Sequence, residues 1–127
     1  MLFRSYDRAR YLYQKSLALS EVIAEETNAA AARRDMGVCY SGMGDIALAI
    51  HDCSEADKWY RKSYELRKKL AGETESYDDV CDYSVSCVKH GEIAEEQNDL
   101  SKAKEQYEEA YSIIIPQIGR ASCRERV

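Results

Sequence analysis

The sequence predicts an all-α protein of five helices arranged as successive antiparallel hairpins. Three observations predict it. The chain holds one Pro and six Gly in 127 residues, too few for a turn-rich β architecture. Apolar residues recur at three- and four-residue steps, the stripe that buries one face of a helix. The chain also repeats itself: a shift of 47 positions aligns residues 7–52 with 54–99 without a gap, giving 14 identities in 46 pairs. Ordinary residue frequencies would give about three by chance.

Some positions recur three times. Ala9 aligns with Ala56 and Ala103, Tyr13 with Tyr60 and Tyr107, and Ser16 with Ser63 and Ala110. Farther along, Asp35 meets Asp82, Val38 meets Val85, Gly44-Asp45-Ile46-Ala47 meets Gly91-Glu92-Ile93-Ala94, and Asp52 meets Asp99.

The elements follow in order. By alignment the first helix spans 6–26 and the second 29–50. Residues 1–5 are then expected to end a preceding helix, because Tyr6 aligns with the turn position of Cys53 and Leu100. The third helix is expected over 55–71, with Ser54 as N-cap and Gly72 at its end. Its apolar stripe is Ala56, Trp59, Tyr60, Ser63, Tyr64, Leu66 and Leu70. The fourth spans 76–97, opened by Ser76 with Asp79 in a capping-box spacing and closed by the polar turn Asn98-Asp99. The fifth spans 101–115 and stops before Pro116.

The repeated residues predict the packing. Ala9, Ala56 and Ala103 let a neighbouring helix approach, and Tyr13, Tyr60 and Tyr107 fill the space one turn later. Gly44 and Gly91 sit inside helices, where Gly costs about 1 kcal/mol relative to Ala. Repeating that cost implies a crossing too close for a Cβ. One hairpin cannot bury its apolar face alone, so units must stack.

Residues 118–127, Ile-Gly-Arg-Ala-Ser-Cys-Arg-Glu-Arg-Val, lack the helical periodicity and resemble the translation of a common sequencing adapter. They are expected to be an adapter-derived tail on a truncated repeat array of residues 1–117. Without them the charges are 18 − 3 = 15 positive and 23 − 1 = 22 negative, so the net charge falls from −5 to −7. That acidity disfavours nonspecific binding to nucleic acid or anionic lipid. No apolar run approaches the roughly 20 residues of a membrane span, and the N-terminus shows no signal-peptide pattern. Cys39, Cys53, Cys81, Cys87 and Cys123 are scattered, as small apolar residues in a reducing cytoplasm would be.

Met43-Gly44-Ala47 with Ala56-Tyr60-Ser63, and His90-Gly91-Ala94 with Ala103-Tyr107-Ala110, resemble the tetratricopeptide repeat over residues 6–116. The 47-residue unit is similar to the long-helix variety of kinesin light chain and bacterial regulatory arrays, against 34 in the common form. His90 in place of Leu, the missing first-helix aromatic and Pro116 one place late depart from the pattern. The resemblance implies a right-handed α-α superhelix, no cofactor, and a protein or peptide partner bound on a concave face formed by the first helix of each pair.

Three- and four-residue steps along those first helices select Asp78, Asp82, Val85, Lys89, Glu92 and Glu96, with counterparts Ala31, Asp35, Val38, Gly42, Asp45 and Ala49. Carboxylates around small or apolar residues suit a peptide or helix carrying basic residues. An ordinary solvated acidic face would show the same composition. The Lys/Asn clamp that some family members use for acidic C-termini has no match.

Other functions find less support. His51 and His90 are the only histidines, no nucleophile motif or Gly-rich phosphate loop is present, and catalysis is not expected. Cys81, Cys87 and His90 share a helix, but their counterparts Arg34, Tyr40 and Met43 are not ligands, so packing is expected over zinc. Lys58, Arg61, Lys62, Arg67, Lys68 and Lys69 make one helix basic. A convex face balanced by acidic neighbours explains that better than nucleic acid. A regulatory segment of a larger signalling or DNA-binding protein is the alternative to a scaffold. The end helices, including Ile113-Ile114-Ile115, should leave apolar surface for self-association and make the chain marginally stable alone.

Overall fold

The structure, a computed structural model, describes the backbone of residues 2–125 and the side chains of residues 4–118. Five helices follow one another: α1 (Leu2–Thr27), α2 (Ala30–Ala49), α3 (Cys53–Thr74), α4 (Tyr77–Glu96) and α5 (Leu100–Glu125). No strand occurs among the described residues. The protein is an all-α array of helical hairpins in which successive helices pack on each other. The chain divides into two compact units, Met1–Leu66 and Arg67–Val127, with α3 contributing to both.

The turns show why the chain folds back where it does. Asn28 and Glu75, 47 residues apart, both take left-handed backbone conformations, with φ of 52° and 54°. Each amide donates to a carbonyl four residues back, Ala24 at 2.7 Å and Ala71 at 2.9 Å. The hydroxyls of Thr27 and Thr74 then accept from Ala29 N and Ser76 N. The other turn pair is His51 and Asn98, with φ of 62° and 59°. There Asp52 N reaches Ala47 O and Asp99 N reaches Ala94 O, both at 2.8 Å, while His51 N donates to Leu48 O and Asn98 N to Glu95 O. These are Schellman ends, which satisfy carbonyls left over by the helix.

The same two aspartates start the next helices. Asp52 accepts from Ala56 N through its carbonyl and from Glu55 N through its carboxylate. Asp99 does so from Ala103 N and Lys102 N. The third helix is therefore capped by Asp52, not by Ser54, and begins at Cys53, two residues before the expected start at Glu55. Ser76 caps α4 as expected, accepting from Asp79 N at 3.4 Å. The buried Asp79 carboxylate accepts the Thr74 hydroxyl at 2.6 Å.

Three other boundaries differ from expectation. Residues 2–5 continue α1 and do not end a separate helix, because no turn residue interrupts them. α3 passes through Gly72 to Thr74, since Glu75 supplies the left-handed turn. α5 passes through Pro116 to Glu125, taking in most of the expected tail. Pro116 is exposed, so the Ser112 carbonyl deprived of its amide partner can face water.

Both units close on the same contact. A Cβ on Gly44 would lie 2.5 Å from the Tyr60 ring, and one on Gly91 2.8 Å from the Tyr107 ring. The ring lies directly on the backbone of the facing helix. Ala56 and Ala103, beside these rings, are buried, and Tyr60 is wholly enclosed. Tyr13 differs: its half-buried ring lies on Gly42, in the helix that follows it. Gly42 has no glycine counterpart, since Lys89 occupies that position.

These contacts set opposite outcomes for two glycine substitutions. Gly44→Ala should destabilise the chain by about 1–3 kcal/mol in urea titration, because the enclosed Tyr60 ring has nowhere to move. Gly72 has nothing within 4 Å of a built Cβ, so Gly72→Ala should raise stability by about 0.5–1 kcal/mol.

Candidate functional site

Burial of one helical face sends the opposite face outward. On α2, Ala32, Cys39, Met43, Ile46 and Ala47 are buried. Ala31, Asp35, Val38, Asp45 and Ala49 are exposed. On α4, Ser84, Cys87, His90, Ile93 and Ala94 are buried, while Asp78, Asp82, Val85, Glu92 and Glu96 are exposed. Lys89 is half-buried, and Gly42 is covered by Tyr13. The expected stripe thus forms on each helix, except that Gly42 does not reach the surface. Val38 and Val85, at equivalent positions, are 55% and 50% exposed, unusual for branched apolar residues flanked by carboxylates.

In the first unit the stripe borders a groove of about 410 Å³, lined by Ala9, Leu12, Tyr13 and Ser16 of α1 and by Asp35, Val38 and Cys39 of α2. Ala9 and Tyr13, expected only as packing residues, are therefore also groove walls. Tyr60 donates its hydroxyl hydrogen to Asp45 at 2.5 Å. In the second unit Tyr107 donates to Glu95, not to Glu92, the counterpart of Asp45. That bond, then desolvation and the nearby charges of Glu95 and Glu92, push the Tyr107 phenol up to about 12.

A polar cluster missed in the sequence joins α4 to α5. Glu109 accepts from the Tyr83 hydroxyl at 2.9 Å and from the Cys87 thiol at 3.1 Å. Burial first, and the Glu109 carboxylate second, hold the Cys87 thiol far above its ordinary pKa, partly opposed by Lys68. The repeat carried no signal for this cluster, because Cys87 aligns with Tyr40. Among the described residues, no group of three or more His, Cys, Asp or Glu side chains is placed to hold a metal. His90 is buried at the packing position held by Met43 in the first unit.

Three of the six basic side chains of α3 lie against nearby rings or a carboxylate. Lys62 lies over the rings of Tyr40 and Trp59, Lys58 lies over Trp59, and Arg61 pairs with Asp57 at 2.8 Å. No described helix is long and apolar enough to cross a membrane.

The chain matches no family model, no curated protein and no solved structure.

The electrostatics of Cys87 predict its reactivity. A thiol held protonated reacts slowly, because the thiolate is the nucleophile. In native-state alkylation followed by peptide mapping, the half-exposed Cys53 and Cys81 should label first. Cys87 should stay unlabelled as pH rises past 9.0, the ordinary thiol value, until the chain unfolds.

Proposed function

We infer that the protein is a non-catalytic, cytoplasmic interaction scaffold of the long-helix tetratricopeptide kind, whose outward first-helix faces, on α2 in one unit and on α4 in the other, each take a basic peptide or partner helix. The observation that carries this is the paired exposure of Asp35 with Val38 and of Asp82 with Val85. Each pair offers an apolar contact rimmed by charge, the combination that gives a helix or peptide both adhesion and register. Support for the family comes from recurrence of the turns, the aspartate caps and the glycine–tyrosine contact at the 47-residue spacing.

The test uses a fluorescent lysine-bearing amphipathic peptide. Asp35→Lys, Asp82→Lys and Glu92→Lys together should weaken binding about tenfold at low salt and leave the melting temperature nearly unchanged. An affinity equal to that of the parent chain would refute the proposed surface.

A further inference from the structure

Three consecutive helices of the first unit surround a cavity of about 390 Å³. That volume falls within the range of about 300–1,000 Å³ typical of small-molecule sites. Each helix supplies one stripe. α1 contributes Arg10 and Gln14, four residues apart. α2 contributes Met43, Ala47 and Ile50, an apolar floor whose first two members are buried. From α3 and the turn before it come Asp52, Glu55 and Trp59.

The α3 wall is held in place by its own bonds. Asp52 accepts the Glu55 amide at 3.1 Å, and Glu55 accepts the Trp59 indole N–H at 2.9 Å. Tyr40 stacks on Trp59 with ring centres 6.0 Å apart, which fixes the indole. An ionised carboxylate has about four acceptor positions, so both acids keep capacity for a ligand.

Opposite charges line this cavity without neutralising each other. Among the described residues Arg10 meets only the exposed Asp7, at 4.0 Å, and forms no ion pair with Asp52 or Glu55. Arg10 and Glu55 are both half-buried. A cation and two carboxylates held apart around an apolar floor match a molecule that carries both charges. The repeat does not require this lining. At the 47-residue shift Arg10 becomes Asp57, Met43 becomes His90, Glu55 becomes Lys102 and Trp59 becomes Gln106, while Ala47 and the capping Asp52 are kept as Ala94 and Asp99.

We propose that this cavity binds a free α-amino acid with an apolar side chain. Arg10 takes the ligand carboxylate through paired N–H donors, and the Gln14 amide adds another. Asp52 and Glu55 receive the ammonium, and the side chain lies on Met43, Ala47 and Ile50. The site is separate from the outward faces of α2 and α4, sharing none of Asp35, Val38, Asp82 and Val85.

The probe is L-leucine, titrated into the whole chain, with the fluorescence of Trp59, the only Trp, as the readout. A saturable change is expected. Leucinamide, which lacks the carboxylate, and isocaproate, which lacks the ammonium, should each bind about tenfold more weakly. Arg10→Gln should weaken leucine binding about tenfold and leave leucinamide unaffected. Glu55→Gln, which keeps an acceptor for the indole, should weaken leucine about tenfold and leave isocaproate unaffected. Gln14→Phe, at an exposed position, should block the cavity with an unchanged melting curve. The triple reversal Asp35→Lys, Asp82→Lys and Glu92→Lys should not alter leucine binding, which separates this site from the basic-peptide surface. Three results would overturn the proposal: no saturable response from the folded parent chain, leucinamide or isocaproate binding as tightly as leucine, or a response indifferent to Gln14→Phe.

Discussion

The fold depends on an aromatic ring resting on bare helix backbone. Tyr60 on Gly44 and Tyr107 on Gly91 set how closely each tyrosine helix approaches the helix before it. That approach buries Ala56 and Ala103 and lets the phenol oxygens reach carboxylates on the facing helix. Mid-helix glycine costs about 1 kcal/mol in propensity. It persists here because a methyl group would separate two surfaces that otherwise exclude water. Interiors packed to crystal-like density tolerate little such displacement.

The turns convert this local contact into a repeating one. Asp52 and Asp99 each end one helix with a backbone donor and begin the next with a carboxylate and carbonyl acceptor. A single residue therefore fixes the exit of one helix relative to the entry of its partner. The left-handed residues beside them are chemically diverse: His51 and Asn98 in one turn, Asn28 and Glu75 in the other. Left-handed backbone costs roughly 1–2 kcal/mol for an ordinary side chain. Four such conformations at repeat-related positions indicate that the helix contacts, and not turn propensity alone, dictate the turn.

How much was legible follows from this division. Helix number, the turns between helices and the close crossings at Gly44 and Gly91 could be read because each depends on residues that recur at fixed spacing; that a tyrosine ring makes each crossing came from the structure. The outward faces of α2 and α4 could be read because burying one side of an amphipathic helix determines the other. Boundaries were less visible. Ser54 and Gly72 have the right propensities, but Asp52 and Glu75 hold the backbone groups that decide the ends. Helix α5 continues through Pro116 because an exposed helix can lose one amide bond without burying the orphaned carbonyl. The Tyr83–Glu109–Cys87 cluster and Tyr13 against Gly42 were invisible because neither is repeated.

Comparison of the two glycine–tyrosine crossings shows what the fold constrains and what it leaves free. In the first unit Ser63 donates to the Gly37 carbonyl; in the second, Ser84 at the position of Gly37 donates to the carbonyl of Ala110 at the position of Ser63. The bridge survives with donor and acceptor exchanged between helices. Geometry at the crossing is thus kept while the residues that satisfy it vary. No such constraint acts on the outward stripe, and there the units diverge: Ala31 and Ala49 on α2 stand where α4 carries Asp78 and Glu96. Exposed carboxylates that bear on no packing contact add repulsion among themselves, a cost without structural return. Their concentration on α4 makes that helix the stronger attractor of positive charge.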